Sequence, residues 1–292
     1  NANNVGIGSN ALLAVTTGSS NVAIGISAGS SLTTTGETVF IGALAGDAVS
    51  ATASGLDGTI GIGTNALGSL LTGARNLAIG YRALYHTDTG TDNIAIGYKA
   101  LSDQDVGGDG NAADSDHNIA IGSLAMSGAW VDAKSEYNVA IGSSTMIGAL
   151  NGALYNVGIG HSALSDLTTG ESNVAIGGHA LENNTSGVAN IAIGSWDSST
   201  YQAPLTTNTV GSFNVAIGSG VLRLANENDN DGSVGIGYGA LNNQAGTGGD
   251  QFTNATTAVG YKALTALTSG AGNTAVGYTA GTALTTGERN TI

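Results

Sequence analysis

The chain has no cysteine, one proline, two tryptophans and only seven basic residues in 292 positions. Each shortage removes a class of explanation. Without cysteine there is neither a disulfide framework nor a thiolate metal site, although this fixes no compartment. Seven lysines and arginines against 21 acidic residues, a net charge of −14, cannot neutralise a run of phosphates, so nucleic acid is not an expected partner. Anionic membrane surfaces are disfavoured for the same reason. No run of about 18 apolar residues exists to cross a bilayer, so no membrane insertion by this segment is expected. No charged segment followed by an apolar stretch marks a signal peptide. Aromatic residues make up only 5% of the chain, which leaves a conventional core of large side chains thinly supplied.

Glycine is abundant, 48 residues, yet the chain is not collagen-like or low-complexity. Glycine does not recur at every third position, proline is nearly absent, and Val, Ile and Leu return at regular intervals. Length alone suggests about two domains, but the regular return points to a repeat, which must be sought first. NLAIGYRAL at 76–84 is followed by NIAIGYKAL at 93–101. With the glycine after Ile or Val as marker, Gly8, Gly25, Gly42 and so on to Gly277 define fifteen units. Seven of the fourteen steps are seventeen residues long and every other step is longer. Seventeen is therefore the basic unit, and the excess is extruded as loops near 47–57, 102–116, 128–136, 197–212, 225–232 and 242–254.

The consensus N-V-A-I-G-x-x-A-L-x-x-L-T-T-G-x-x is almost complete in NVGIGHSALSDLTTGES at 156–172. Its first position is Asn in eleven units and Thr or Ser in four, residues whose short side chains bond nearby backbone and hold turns. The second to fourth positions alternate with a period of two, which is a strand. Glycine at the fifth position ends it, by positive φ or by close approach of another backbone. A second short strand over x-A-L and a turn at L-T-T-G complete the unit. This predicts an all-β fold, one continuous parallel β-solenoid (β-roll) over residues 1–292 with about fifteen seventeen-residue coils. At a coil spacing of about 4.8 Å it would extend roughly 70 Å. The chain opens and closes inside the pattern and is expected to be a segment of a longer fibre.

If the second and fourth positions face the coil interior, the third faces out, and it is Ala or Gly in fourteen of fifteen units, Phe40 being the exception. An outward column of small residues, for example Ala95, Ala120, Ala140 and Ala175, predicts close approach of another chain. Coils this small enclose little core, so self-association, with a homotrimer favoured, would supply further burial.

The motif N-V-A-I-G-x-x-A resembles the NSVAIGxxS signature of YadA-like trimeric autotransporter heads. NTAVGYTAGTALTTG at 273–287 is similar to repeats of bacteriophage and bacterial tail-fibre-type proteins. Here Asn directly precedes Val, Ala usually replaces the final Ser, and the unit is seventeen residues rather than about fourteen. The resemblance implies a left-handed β-roll assembled as a homotrimer, extracellular, on a cell or virion surface. It implies attachment to a host cell-surface receptor, glycan or extracellular matrix.

Chemistry is sparse. A repeat places its residues in parallel columns, whereas a catalytic site needs convergence, so no enzyme is expected. His86, His117, His161 and His179 occupy different repeat positions, which predicts no imidazole column. The G-x-G fragments lack GK[ST] and a crossover helix, so no phosphate site or cofactor is expected. Two insertions are rich in oxygen ligands. Asp103, Asp105 and Asp109 lie in the first, and Glu227, Asp229 and Asp231 follow the alternating spacing that opens a calcium loop, but Tyr238 stands where its closing Glu belongs. Calcium is therefore the one metal considered, against a hydrated acidic loop. Tyr81, Tyr98, Tyr238, Tyr261 and Tyr278 share the sixth position and predict stacked ladders. Ligand contact is assigned to Tyr81, Tyr98, Tyr261 and Tyr278 and to Trp130, which lies in an insertion. The function expected is a structural or adhesive fibre segment. The alternative is a monomeric ice- or calcium-binding solenoid, suggested by the recurring L-T-T-G and the acidic loops. A polysaccharide lyase or hydrolase on a β-helix would need larger coils and a cleft of acids and bases, and neither is evident.

Overall fold

The computed structural model describes residues 3–48, 55–86, 88–102, 115–130, 133–196, 202–225, 231–244 and 255–292. These fall into two compact units, Asn1–Gly152 and Ala153–Ile292. The first contains β1 (Val5–Ile7), β2 (Val22–Ile24), β3 (Val39–Ile41), β4 (Ile60–Ile62), β5 (Leu77–Ile79), β6 (Ile94–Ile96), β7 (Ile119–Ile121) and β8 (Val139–Ile141). The second contains β9 (Val157–Ile159), β10 (Val174–Ile176), β11 (Ile191–Ile193), β12 (Val215–Ile217), β13 (Val234–Ile236), β14 (Thr257–Val259) and β15 (Thr274–Val276). Within each unit successive strands pair in parallel, third position on third position, as in Ala78↔Ala95 and Ala175↔Ala192. Each unit is thus a parallel β-solenoid with one three-residue strand per coil, and the described residues contain no helix. Register survives the long steps. Ile94 pairs with Ile119 and Ile191 with Val215, so the extra residues leave the ladder undisturbed.

Two expectations are corrected. The first concerns which way the strand faces. Ala95, Ala120, Ala140 and Ala175 are completely buried inside their own chain, as is Phe40. The second and fourth positions, Val139 and Ile141 among them, are the outward ones. The physical reason is the thinness of the coil. A Cβ built on Gly6 or Gly61, which occupy the third position, would lie 3.6 Å or 3.0 Å from the side chain of Leu12 or Leu67 at the ninth position of the same coil. Leucine reaching in from the opposite side leaves room only for Ala or Gly. Phe40 fits because the ninth position of its own coil and of the preceding one is glycine: a Cβ on Gly46 would lie 2.6 Å from the Phe40 ring, and one on Gly29 would lie 3.2 Å away.

The second correction concerns x-A-L, which is not a strand. Its first and third residues take left-handed backbone angles, as in Ser162 (φ 54°) and Leu164 (φ 53°), and the residue before the repeat's Asn does too, as in Ser172 (φ 57°). That alternation curls the chain and turns the leucine inward, so Leu84, Leu101, Leu164 and Leu264 are fully buried.

The fifth-position glycine satisfies both reasons given for it. Gly97 has φ 141° and Gly122 φ 138°, a region that side chains with a Cβ rarely adopt. A Cβ on Gly42 would also lie 2.6 Å from the carbonyl of Gly63 on the next coil.

The recurring Asn of the first position forms an interior polar spine. Asn173 is buried, donates Nδ2 to the Gly187 carbonyl at 2.8 Å across its own coil, and accepts the Asn190 N–H at Oδ1, 3.0 Å, from the next. The same pair of bonds recurs at Asn76, whose Nδ2 donates to Gly90 at 2.7 Å and whose Oδ1 accepts from Asn93 at 3.0 Å. Asn93, Asn156 and Asn273 likewise donate across their own coil and accept from the next, so each closes one coil and ties it to another with both side-chain groups satisfied.

Candidate functional site

The outward second and fourth positions form two columns of Val, Ile and Leu on one face of each unit, with Thr entering only at β14 and β15. These side chains remain accessible: Ile24, Ile141 and Ile176 are 36%, 37% and 36% exposed. Solvated sheet faces ordinarily alternate to polar residues. A contiguous apolar face of β-branched residues instead marks an interaction surface.

The sixth position continues the outward alternation on the same side, and here the tyrosines stack as the spacing predicts. Tyr81 and Tyr98 lie 5.6 Å apart at 12° in the first unit. In the second, Tyr238 and Tyr261 are 5.6 Å apart at 8°, and Tyr261 and Tyr278 are 5.3 Å apart at 8°. Because the rings stack face to face along the ladder, their faces are turned toward one another and their edges and hydroxyls outward. A sugar that docks on an aromatic face is poorly served where the rings cover one another. A cation follows the ring in three coils: Arg82 lies 5.4 Å from Tyr81 and 5.0 Å from Tyr85, Lys99 5.8 Å from Tyr98, and Lys262 5.4 Å from Tyr261.

Trp130 is fully buried, the largest such side chain, and so is withdrawn from ligand contact. Loop tryptophans read as recognition residues from sequence alone, but this one fills the coil interior. Asp103, Asp105, Asp109, Glu227 and Asp229 lie outside the described residues. Asp231 accepts the Ser212 N–H at 2.6 Å, a bond between coils. Among the described residues no group of three or more acidic or imidazole side chains is placed to hold a metal.

Sequence reading missed one cluster. His161 and His179 differ by one repeat position yet meet edge to face at 5.2 Å, and His179 meets Trp196 at 5.0 Å and Glu182 at 3.1 Å. Sixth and seventh positions of neighbouring coils are close enough for rings to touch, so a shared position is not required. Another surface ladder precedes the strands. Arg75 donates two hydrogen bonds to Asp92, both 2.6 Å, His117 approaches Asp92 at 3.6 Å, and Tyr137 stacks on His117 at 4.8 Å. The hydrogen bond from Arg75 holds the Asp92 carboxyl below its usual range.

The residue after the leucine of L-T-T-G, Thr168, and its counterparts Thr185 and Thr268 turn their hydroxyls to the backbone. Thr168 Oγ1 donates to the Thr185 carbonyl at 2.9 Å, and Thr185 Oγ1 to Thr209 at 3.0 Å. A hydroxyl array committed to the next coil is a poor template for ice. No protein-family model matches the chain, and no curated protein sequence does.

Proposed function

We propose that this chain is a structural and adhesive fibre segment that works as a homotrimer, its copies packed through the Val/Ile face, and that it carries no catalysis. The observation that supports this reading is the uncovered apolar face of the second and fourth positions, set on a coil whose interior, where leucine reaches across, leaves room only for Ala or Gly. A single chain so built leaves its largest β-branched side chains in water, and association with like chains is the direct remedy. The number three, a left-handed coil and an extracellular setting on a cell or virion surface follow from the N-V-A-I-G-x-x-A resemblance. Contact with a host receptor, glycan or matrix protein is assigned to the inserted loops, since a rigid scaffold ordinarily presents recognition on its loops.

The test is the mass in solution of the chain assembled on a removable trimerising coiled coil. After proteolytic removal of the coil, a species of three times 28.5 kDa is expected to persist. Dissociation to single chains with unchanged thermal stability would overturn the assembly reading.

A further inference from the structure

The second unit carries one surface cluster that neither the strand face nor the tyrosine ladders absorb. His161 and His179 occupy the sixth and seventh positions of successive coils, and Trp196 holds the seventh position of the coil after them. A long backbone bond from the Trp196 N–H to the Gly178 carbonyl, 3.4 Å, sets it beside the His179 coil. In sequence the insertion near 197–212 begins at the next residue, and it is Gln202 that accepts the Gly220 N–H of the following coil, at 2.7 Å. Trp196 thus stands at the root of an inserted loop. It is 45% exposed, whereas Trp130 is fully buried. Its contact with His179 is inclined at 66°, so the imidazole does not blanket the indole as the tyrosines, at 8° and 12°, blanket one another. Gly178 and Ser195 keep the neighbouring sixth positions small. Beyond its own neighbours in the chain, a Cβ on Gly178 would meet nothing closer than the His161 carbonyl at 3.8 Å.

We propose that this ledge docks a neutral pyranose saccharide, with the C–H face of the sugar on the indole of Trp196 and its hydroxyls on Glu182 and His179. This rests on the adhesive reading above and names the class of ligand and the residues that take it. A pyranose presents an apolar face of C–H bonds and a rim of hydroxyls, so its site needs an open aromatic face with hydrogen-bonding groups at the margin. Both are present. The Glu182 carboxylate lies 3.1 Å from Nδ1 of His179 without the alignment of a hydrogen bond, so that this buried nitrogen has no hydrogen-bond partner. Each of the two side chains is 26% exposed. A carboxylate has room for several donors and an imidazole has a second nitrogen, so both retain capacity for sugar hydroxyls. Charge selects the saccharide. No lysine or arginine occurs between Lys134 and Arg223, which leaves this stretch nothing to neutralise a sialic acid or a sulfate, and Glu182 would repel either. An uncharged sugar meets no such opposition. An organic cation is best held by aromatic rings on several sides, and the one indole here does not enclose it.

Tryptophan fluorescence of the full chain reads this site selectively, because Trp130 and Trp196 are its two tryptophans and the first is sealed in the interior. Neutral hexasaccharides of glucose, galactose, mannose and N-acetylglucosamine serve as probes. Titration with at least one of them is expected to shift the emission saturably to shorter wavelength. Calorimetry with the same sugar is expected to show binding weakened on the order of tenfold in W196A and by a smaller factor in E182Q, with both variants unfolding thermally close to wild type. Should W196A fail to fold, W196F takes its place, with a smaller loss in the same direction. No shift with any of the four probes overturns the site, and so does binding that the Trp196 variant leaves unchanged. Binding confined to sialylated or sulfated hexasaccharides, or an equal shift with tetramethylammonium, assigns the ledge to a charged ligand and overturns the neutral sugar. Each of these failures leaves the assembly reading standing, because that is decided by the mass after coil removal. Single chains after coil removal that still bind the sugar overturn the assembly and uphold the site.

Discussion

Asn93 donates its backbone N–H to Oδ1 of Asn76 at 3.0 Å, from one coil to the one before it. Both side chains are buried, so this bond and its repeats are how a narrow coil carries a polar interior. In Asn173→Ala the Gly187 carbonyl and the Asn190 N–H each lose a partner. An orphaned buried group costs about 1–3 kcal/mol, and thermal unfolding should show a loss at the upper end of that range. Asn173→Thr should lose less, since Thr38 occupies the same position and takes part in the spine through Asn21. Equal losses for Ala and Thr would deny the side-chain oxygen its role.

Backbone conformation supplies a second prediction with two signs. Gly177 has φ 125°, and a Cβ there would run into the Gly194 carbonyl of the next coil. Gly177→Ala is expected to cost well over about 1 kcal/mol, the ordinary limit for glycine exchanges at compatible sites. Ser172, at φ 57° on the surface, holds a conformation that Asn tolerates better. Ser172→Asn should therefore raise the midpoint of thermal unfolding by a small amount.

The period, the coil and the turn at glycine were legible because they repeat, and a repeat averages away local noise. Which way the strand faces was not. Hydrophobicity argued that Ile79 and Ile96 belong inside and Ala95 outside, but Leu84 and Leu101, turned in by left-handed residues that no sequence pattern announces, already fill the lumen. Volume, not hydropathy, decided the matter. The tyrosine ladders were read correctly from a shared position, whereas the His161–His179 contact escaped because it joins unlike positions.

Two carboxylates give opposite responses to pH. Asp92 is held low by Arg75, so its contribution to stability is fully present above the usual carboxylate range and is lost as pH falls through the depressed value. Arg75 is 63% exposed, which makes the effect small and salt-sensitive. Burial pushes Asp47 up, so its ionisation opposes folding once pH rises above the ordinary carboxylate value, in full beyond the raised one. Asp47→Asn should raise the unfolding midpoint at neutral pH and leave it nearly unchanged in acid, whereas Arg75→Ala should lower it at neutral pH alone. A uniform shift across pH in either variant would mean that the charge is not what the substitution removed.

The decisive contrast lies between neighbours in one strand. Ala175 is fully buried beneath the coil and Ile176 is 36% exposed on the outer face. Ala175→Glu would bury an unpaired carboxylate in a lumen already closed by leucine, a penalty of several kcal/mol, and the single chain should lose its cooperative unfolding. Ile176→Lys places its charge in water as long as the chain is alone, where surface substitutions usually stay within about 0.5 kcal/mol. In the proposed assembly the same lysine would sit between apolar faces, so the trimer should fall apart while the folded chain survives. Light scattering and thermal unfolding, measured on both variants, separate the two. Loss of assembly in Ile176→Lys at unchanged single-chain stability would fix the outer face as the interface. If Ile176→Lys still assembles, the Val/Ile columns face solvent in the working molecule, and the face on which the proposed function rests is the wrong one.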